Sequence, residues 1–396
     1  MPRATKKHDL GQYFTTHTAL KEKVFEFILN NPSDILEPSI GRGDLVAFIA
    51  ERMPGTTFDM YEIDPAIRLL DTIEKDKDRI VYGDFMQQSI AKNYQTIVGN
   101  PPYVRTKKGN LYIDFVEKCY HLLTEDGGEL IFVVPSDFLK LTSAAKLLNE
   151  MMTNGTFTHI FHPHNERMFD NASIDVIVFR YCKNSSAFAS VLEKRVLYNG
   201  KPLHITNSSG LITFAEEDEP NNGSLFQEYF DIYVGLVSGK EEVYKNAELG
   251  NIEVLNAEDR IDRYIYIEKY PCNDERINAH LLLHKNALME RRIRKFNEAN
   301  WFEWGAPRNI GNVRANLGAD CIYICTLTRN PKVAFLGKVG YFGGGLIMLV
   351  PKKTCDLEKI AAYINSNRFK GNFMFSGRFK IGHRQISNSC IPGEFV

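Results

Sequence analysis

No stretch of about 18 consecutive apolar residues occurs in the 396-residue chain, which argues against a transmembrane helix. Cysteine is sparse: seven thiols, an odd number scattered over the whole length, do not make a disulfide framework. The basic opening MPRATKKHDLGQYF lacks the apolar segment of a secretory signal. No G-x-x-x-x-G-K-[ST] run is present, so phosphate-cradling chemistry has no motif. Repeats and low-complexity segments are missing as well. These absences lead to the expectation of a reduced, cytoplasmic, water-soluble protein without a membrane partner.

What is there is a mixed globular composition, 44% hydrophobic and 24% charged. At roughly 150 residues per domain the length suggests two to three domains. The formal net charge of −1 hides an asymmetry. Up to Glu290, 31 Lys and Arg stand against 43 Asp and Glu; from Arg291 onward the counts are 17 against 6. A basic final third is the electrostatic footprint of a protein that meets a polyanion, or merely a solvated basic face. Arg3, Lys6 and Lys7 form a small basic arm of little weight.

The first half alternates short apolar runs with amphipathic stretches. Asp34–Pro38, Thr57–Ile63, Ile80–Tyr82, Thr96–Gly99 and Glu129–Pro135 read as strands, with helical periodicity over Leu45–Met53 and Ile113–Leu123. Phe157–Phe161 and Ile174–Tyr181 would complete a largely parallel sheet of about seven strands. Turn residues and acids then accumulate at Asn184–Ser186, Asn207–Gly210 and Glu216–Gly223, and the interdomain connection is expected near Glu216–Ser224. Beyond it, Tyr264–Lys269, Cys321–Leu327, Val333–Leu336 and Leu346–Val350 read as β-rich, around a basic helix near Asn286–Ala299.

Three signals point to a nucleoside. Gly41 and Gly43 follow the first strand and precede a helix, where the backbone must turn tightly; Val46 stands where a dinucleotide fingerprint has its third glycine. Glu62 ends the second strand, placed to accept hydrogen bonds from ribose hydroxyls. Asp84 ends the third, where it could take a hydrogen from an exocyclic adenine amine while Phe85 covers the ring, or simply cap a helix. Acids at the carboxyl ends of successive parallel strands face one crevice, so an adenosine-containing cofactor is the economical reading.

The sharpest motif follows the fourth strand: Gly99-Asn100-Pro101-Pro102-Tyr103. Two prolines fix φ and remove two backbone donors, and they bias Asn100 to an extended conformation. The Asn100 amide oxygen and the Pro101 carbonyl become stiff acceptors beside an aromatic ring, suited to a planar group bearing an NH2.

Asn-Pro-Pro-Tyr in this place resembles motif IV of S-adenosylmethionine-dependent N-methyltransferases. The motif order resembles the gamma class of type II DNA adenine-N6 methyltransferases: Gly11-Gln12-Tyr13-Phe14-Thr15 is similar to motif X, Leu36–Gly43 to motif I, Tyr61–Asp64 to motif II, and Gly83-Asp84-Phe85 to motif III. Val133–Ser136 is similar to the fifth-strand segment and Phe169–Ser173 to motif VIII. The resemblance covers about residues 9–182 and implies a Rossmann-like α/β methyltransferase sheet whose last strand is antiparallel. It also implies two domains: a catalytic one over 1–215 and an α+β, β-rich DNA target-recognition one over 224–396.

The residues it assigns to the cofactor S-adenosyl-L-methionine are Thr15, Glu37, Pro38, Gly41, Glu62, Ile63, Asp84, Phe85, Asn100 and Pro102. Those assigned to the reaction are Asn100 and Pro101, which would accept from the target N6, and Tyr103 and Phe169, which would sandwich the flipped base. The implied partner is double-stranded DNA, met by a monomer or, alternatively, a dimer. Arg291, Arg292, Arg294, Lys295, Arg378, Lys380 and Arg384, with His383, could contact phosphates or be solvated.

Other signals weigh less. His159, His162, His164 and Glu166 lack the cysteines of a zinc site and read as the end of the sixth strand, so no metal is expected. Cys321 and Cys325 read as strand core. Gly343-Gly344-Gly345 is either a hairpin turn or a place of close DNA approach. The rival functions are an N5-glutamine protein methyltransferase, which shares Asn-Pro-Pro-Tyr, and an RNA adenine methyltransferase. A DNA-binding protein on a dead methyltransferase fold is a further class.

Overall fold

The structure is a computed structural model that describes residue 11 and residues 13–106, 109–170, 172–184, 195–216 and 224–395. Arg3, Lys6, Lys7, Gln12, Asn171 and most of the expected connection at Glu216–Ser224 lie outside the described residues. The chain divides into two compact units, Met1–Asp218 and Glu219–Val396.

The first unit is built on one sheet of ten strands, in the order β10-β9-β8-β6-β7-β5-β4-β1-β2-β3. They are β1 (Asp34–Glu37), β2 (Thr57–Glu62), β3 (Ile80–Tyr82), β4 (Thr96–Gly99), β5 (Glu129–Pro135), β6 (Gly155–Phe161), β7 (Val176–Lys183), β8 (Arg195–Tyr198), β9 (Lys201–Ser208) and β10 (Leu211–Ala215). From β3 to β5 every pairing is parallel; β7 runs antiparallel between β5 and β6. The central strands are near-continuous apolar runs because both faces are covered. Ile35, Val98, Ile131 and Val133 face one core with Leu20 and Val24 of α1 (Thr18–Glu26) and Leu45 and Ile49 of α2 (Asp44–Arg52). Their neighbours Leu36, Ile97, Leu130 and Phe132 face the other, with Val116 of α3 (Leu111–His121) and Leu148 of α4 (Ala145–Thr153). This is the period-two alternation of strands read against the period of helices.

The sheet exceeds the seven expected strands by β8, β9 and β10. Asn199-Gly200 and Ser209-Gly210 carry positive φ and close two hairpins, so part of the turn-rich stretch after β7 folds the chain back onto the sheet edge. A fully buried ion pair, Arg180 Nε to Glu129 Oε2 at 2.8 Å, sits between β5 and β7. Glu129 also accepts from the Leu29 and Asn30 amides just past α1 and from Thr96 Oγ1, which keeps the buried charge satisfied.

The second unit holds a four-stranded antiparallel sheet of Phe230–Val234, Leu346–Pro351, Asp320–Cys325 and Ala334–Lys338. A hairpin, Ile252–Ala257 with Arg260–Tyr264, ends at Tyr264, where the sequence suggested a strand beginning. The expected helix near Asn286–Ala299 is confined to Lys285–Met289. Arg291 is the reason: it is buried, and its guanidinium donates to the carbonyls of Leu288, Ser238 and Trp301 while lying 3.8 Å from the Phe296 ring centroid. Those carbonyls come from three separate segments, so the chain must leave the helix to surround the cation.

Candidate functional site

The order of strands reverses between β1 and β4, and a crevice opens at their carboxyl ends, the usual ligand site of such sheets. The space at this point, its open mouth included, is about 760 Å³. Pro38, Gly41, Glu62, Ile63, Asp84, Phe85, Asn100 and Pro102 all line it, so eight of the ten residues expected at the cofactor converge. Phe14, Ser39, Gly83, Val104, Leu111 and Phe115 complete much of the wall; the helix positions among these carried no sequence signal beyond amphipathicity.

Each acid is oriented by backbone. Glu62, at the end of β2, accepts from the Gly41 amide at 2.8 Å and the Asp64 amide at 3.0 Å. Burial pushes its carboxyl up from the ordinary range. Asp84 accepts from the Met86 amide at 3.0 Å and Gln87 Nε2 at 2.9 Å, so it caps the turn and lines the crevice at once. Glu37, also expected at the cofactor, is buried and does not line the crevice; it accepts from the Ser39 amide, and burial raises its carboxyl to about 8. Gly43 at φ +93° lets the turn lie on Ile73, whose Cγ1 would be 2.5 Å from any Cβ there.

Lys118 of α3 escaped the sequence reading. Its Nζ donates to the Phe85 and Gln88 carbonyls at 2.5 and 2.7 Å and sits 4.6 Å from the Phe85 ring centroid. Phe85 is thereby clamped between that cation and the rings of Tyr61 and Phe115, at 5.2 and 5.4 Å. Thirty residues separate Lys118 from the turn it holds, and no local pattern announces the contact.

Asn100 follows β4 and ends the crevice. Its Nδ2 donates to the Tyr13 carbonyl at 2.7 Å and to Thr15 Oγ1 at 3.0 Å. Thr15, expected at the cofactor, is buried and does not line the crevice; it orients the Asn100 amide instead. Asn100 Oδ1 accepts from the Tyr103 hydroxyl at 2.6 Å, and the same hydroxyl lies 3.0 Å from the Val133 carbonyl. The rings of Tyr103 and Phe169 meet edge to face, 6.1 Å apart at 73°, rather than as parallel plates.

The remaining expectations divide. Among the described residues no group of His, Cys, Asp and Glu could hold a metal. His162 instead bridges Asp175 Oδ2 and the Tyr198 hydroxyl, each at 2.8 Å, and so ties β8 to the start of β7. Cys321 is buried in its strand, its thiol pushed up to about 12 by burial. Gly343 to Gly345 do not close a β-hairpin, since the strand they enter, Leu346–Pro351, pairs with Phe230–Val234 and Asp320–Cys325; Gly343 meets Gly235 by backbone, while Gly344 and Gly345 are exposed.

Of the basic residues, Arg291 is a buried organiser of the fold and Arg294 is engaged with Glu303 and the Trp304 carbonyl, which corrects their assignment to phosphates. Arg292, Lys295 and Lys380 are exposed, Arg378 and Arg384 half-buried. The exposed His383 faces the Ile232 carbonyl through Nε2. No described helix is long and apolar enough to cross a membrane.

Comparison with known proteins bears on the first unit. Residues 57–169 match the family described as Eco57I restriction-modification methylase. The type II methyltransferase M.HincII of Haemophilus influenzae is 29% identical over 203 residues, 46% of this chain and 39% of that protein. The modification methylase CviBIII of Paramecium bursaria Chlorella virus NC1A is 35% identical over 150 residues, 33% of this chain and 39% of that protein. This chain thus spans about two-fifths of the length of those relatives. The structure of the type IIL restriction–modification enzyme MmeI in complex with DNA matches 97% of this chain and 65% of that one, at 11% identity and a TM-score of 0.56, a likeness of fold. Strand order, acid-lined crevice and matched segment lie together in the first unit, which is similar to methyltransferases of restriction–modification systems and whose central segment matches the Eco57I restriction-modification methylase family.

Proposed function

We propose that the chain is a site-specific DNA methyltransferase that methylates N6 of an adenine flipped out of duplex DNA, the modification activity of a restriction–modification system. One observation supports this above the others: the Asn100 amide is oriented by two bonds from its nitrogen, which turns its oxygen toward Tyr103 at the end of the acid-lined crevice.

The crevice suits S-adenosylmethionine. Glu62 and Asp84 line it, and among the described lining residues none is Lys or Arg, which favours a cationic nucleoside over a phosphate-bearing one. Glu62 would take the ribose hydroxyls and Asp84 the adenine amine between Phe85 and Ile63. When bound, the cofactor would supply an electrophilic sulfonium methyl, whose S–C bond breaks with its electron pair left on sulfur as a neutral thioether.

The chain's own part is positioning. The target N6 is a poor nucleophile because its lone pair is delocalised into the ring. Asn100 Oδ1 and the Pro101 carbonyl, accepting its two hydrogens out of the ring plane, favour a pyramidal nitrogen and free that lone pair for the new N–C bond. They also stabilise the positive charge that develops there. The methylated ammonium loses a proton to solvent, so no tuned general base is needed. Flipping costs a few kcal/mol, and stacking by Tyr103 and Phe169 offsets about 1–3 kcal/mol of it. Residues 224–396 would be the target-recognition domain, with Arg292, Lys295 and Lys380 at phosphates.

The test is expression in a host without adenine methylation, followed by modified-base sequencing. N6-methyladenine in one short motif is the expected result. Methyl transfer to protein glutamine or to RNA alone, from a tritiated cofactor, would replace this reading with one of its rivals.

A further inference from the structure

Resting on the adenine reading, we propose that Tyr13 gates the target-base slot: its ring takes the stacking place against Tyr103 and Phe169, and the extruded base enters by displacing it. Two plates that hold a base must stand about 7 Å apart and parallel, two van der Waals contacts of about 3.5 Å each. Tyr103 and Phe169 are 6.1 Å apart and tilted by 73°, so no base fits between them as they lie. The ring stacked on Tyr103 is that of Tyr13, at 5.6 Å and 25°; it also lies 5.9 Å from Phe169. The hydrogen-bonding half of the slot is partly engaged in the same way, because one acceptor position of Asn100 Oδ1 is taken by the Tyr103 hydroxyl at 2.6 Å. Stack and one acceptor position are both taken by the protein itself.

The backbone of Tyr13 is tied to the Asn-Pro-Pro-Tyr loop, while its ring is held by ring packing alone. The segment lies so close to the Asn-Pro-Pro-Tyr loop that a Cβ on Gly11, at φ +60°, would be 2.5 Å from Val104. The Tyr13 carbonyl accepts from Asn100 Nδ2 at 2.7 Å. The Tyr13 ring, by contrast, is half-buried, and among the described residues nothing hydrogen-bonds its hydroxyl. Rotation of the side chain therefore clears the slot without disturbing the carbonyl that orients the Asn100 amide. Tyr103 then exchanges one ring for another, and Asn100 Oδ1 exchanges a hydroxyl hydrogen for an amine hydrogen.

The experiment uses the full chain and a duplex bearing its sequenced site, with 2-aminopurine at the target position as a fluorescent reporter of extrusion. Tyr13→Ala is expected to bind this duplex about three- to tenfold more tightly than wild type, the worth of one aromatic stack, and to give more fluorescence. Tyr13→Leu keeps bulk without a stack and is expected to fall between; Tyr13→Phe keeps the stack and is expected to match wild type. Tyr13→Ala and Tyr13→Leu that both bind more weakly and extrude less would make Tyr13 a wall of the bound base, and unchanged values would place its ring outside the base's path; either overturns the gate. Wild-type methyl transfer to adenine N6 is the control that separates this outcome from failure of the adenine reading itself.

Discussion

On the acid-lined side of the crevice the ligand-facing groups are held open by the backbone, whereas on the aromatic side they are closed upon one another. Glu62 keeps both carboxylate oxygens oriented by the Gly41 and Asp64 amides, and Asp84 is fixed by the turn it caps. Across Asn100, the Tyr103 hydroxyl takes one acceptor position of Oδ1 and three rings pack together. The physical difference is in what each side must admit. A diffusing small molecule gains from a preformed site, since ordering costs are met at folding rather than at binding. A base taken from a duplex is a bulky apolar plate, and a slot left open for it would expose aromatic surface to water.

The largest expected effect that would break this comparison is on the aromatic side. Asn100→Ala should lower the rate of methyl transfer by about 10²–10³-fold, as for loss of one preorganised transition-state partner. Cofactor affinity, read by calorimetry, should stay within about threefold, since the carboxylates carry most of that binding. Parallel losses in both would merge the two sides into one. Next, Glu62→Ala should weaken cofactor binding about 10- to 100-fold, the worth of charged hydrogen bonds, and leave duplex affinity unchanged in a gel-shift titration. Tyr103→Ala should reduce turnover by about 5- to 100-fold through lost stacking. Tyr103→Phe should stay within about threefold, because the ring remains and Asn100 Oδ1 is freed; equal activities of the two variants would remove stacking from the account.

The smallest effect concerns pH. Glu37 keeps its proton in the fold up to about 8, against an ordinary 4.5 in the unfolded chain. A raised acid favours the folded state below pH 4.5, and that contribution is lost as pH rises toward 8. The thermal stability of wild type should therefore fall as pH rises across this window, and Glu37→Gln should flatten the slope. Asn100→Ala, on the other side, should leave it as it is.

Seven strands and the crevice were legible because their signals are local. A strand that must be covered on both faces reads as an apolar run, and a turn between strand and helix needs Gly41 and Gly43. β8 to β10 were not legible, since Asn199-Gly200 and Ser209-Gly210 look the same whether they close a hairpin or open a linker. The helix expected through Arg291 failed for the opposite reason: a basic run with helical composition was overruled by three carbonyls, at 3, 10 and 53 residues' separation, that surround one guanidinium. Thr15 was misassigned because its hydroxyl meets Asn100, a contact 85 residues long in sequence.

By itself, the order of residues determined which groups stand at the ends of the strands, because alternation, proline and glycine act over a few bonds. Which way the Asn100 amide faces, what holds Phe85, and which ring fills the place beside Tyr103 were decided only by folding, since each depends on side chains brought together across some thirty to more than a hundred and fifty residues, where no short-range preference of the backbone reaches.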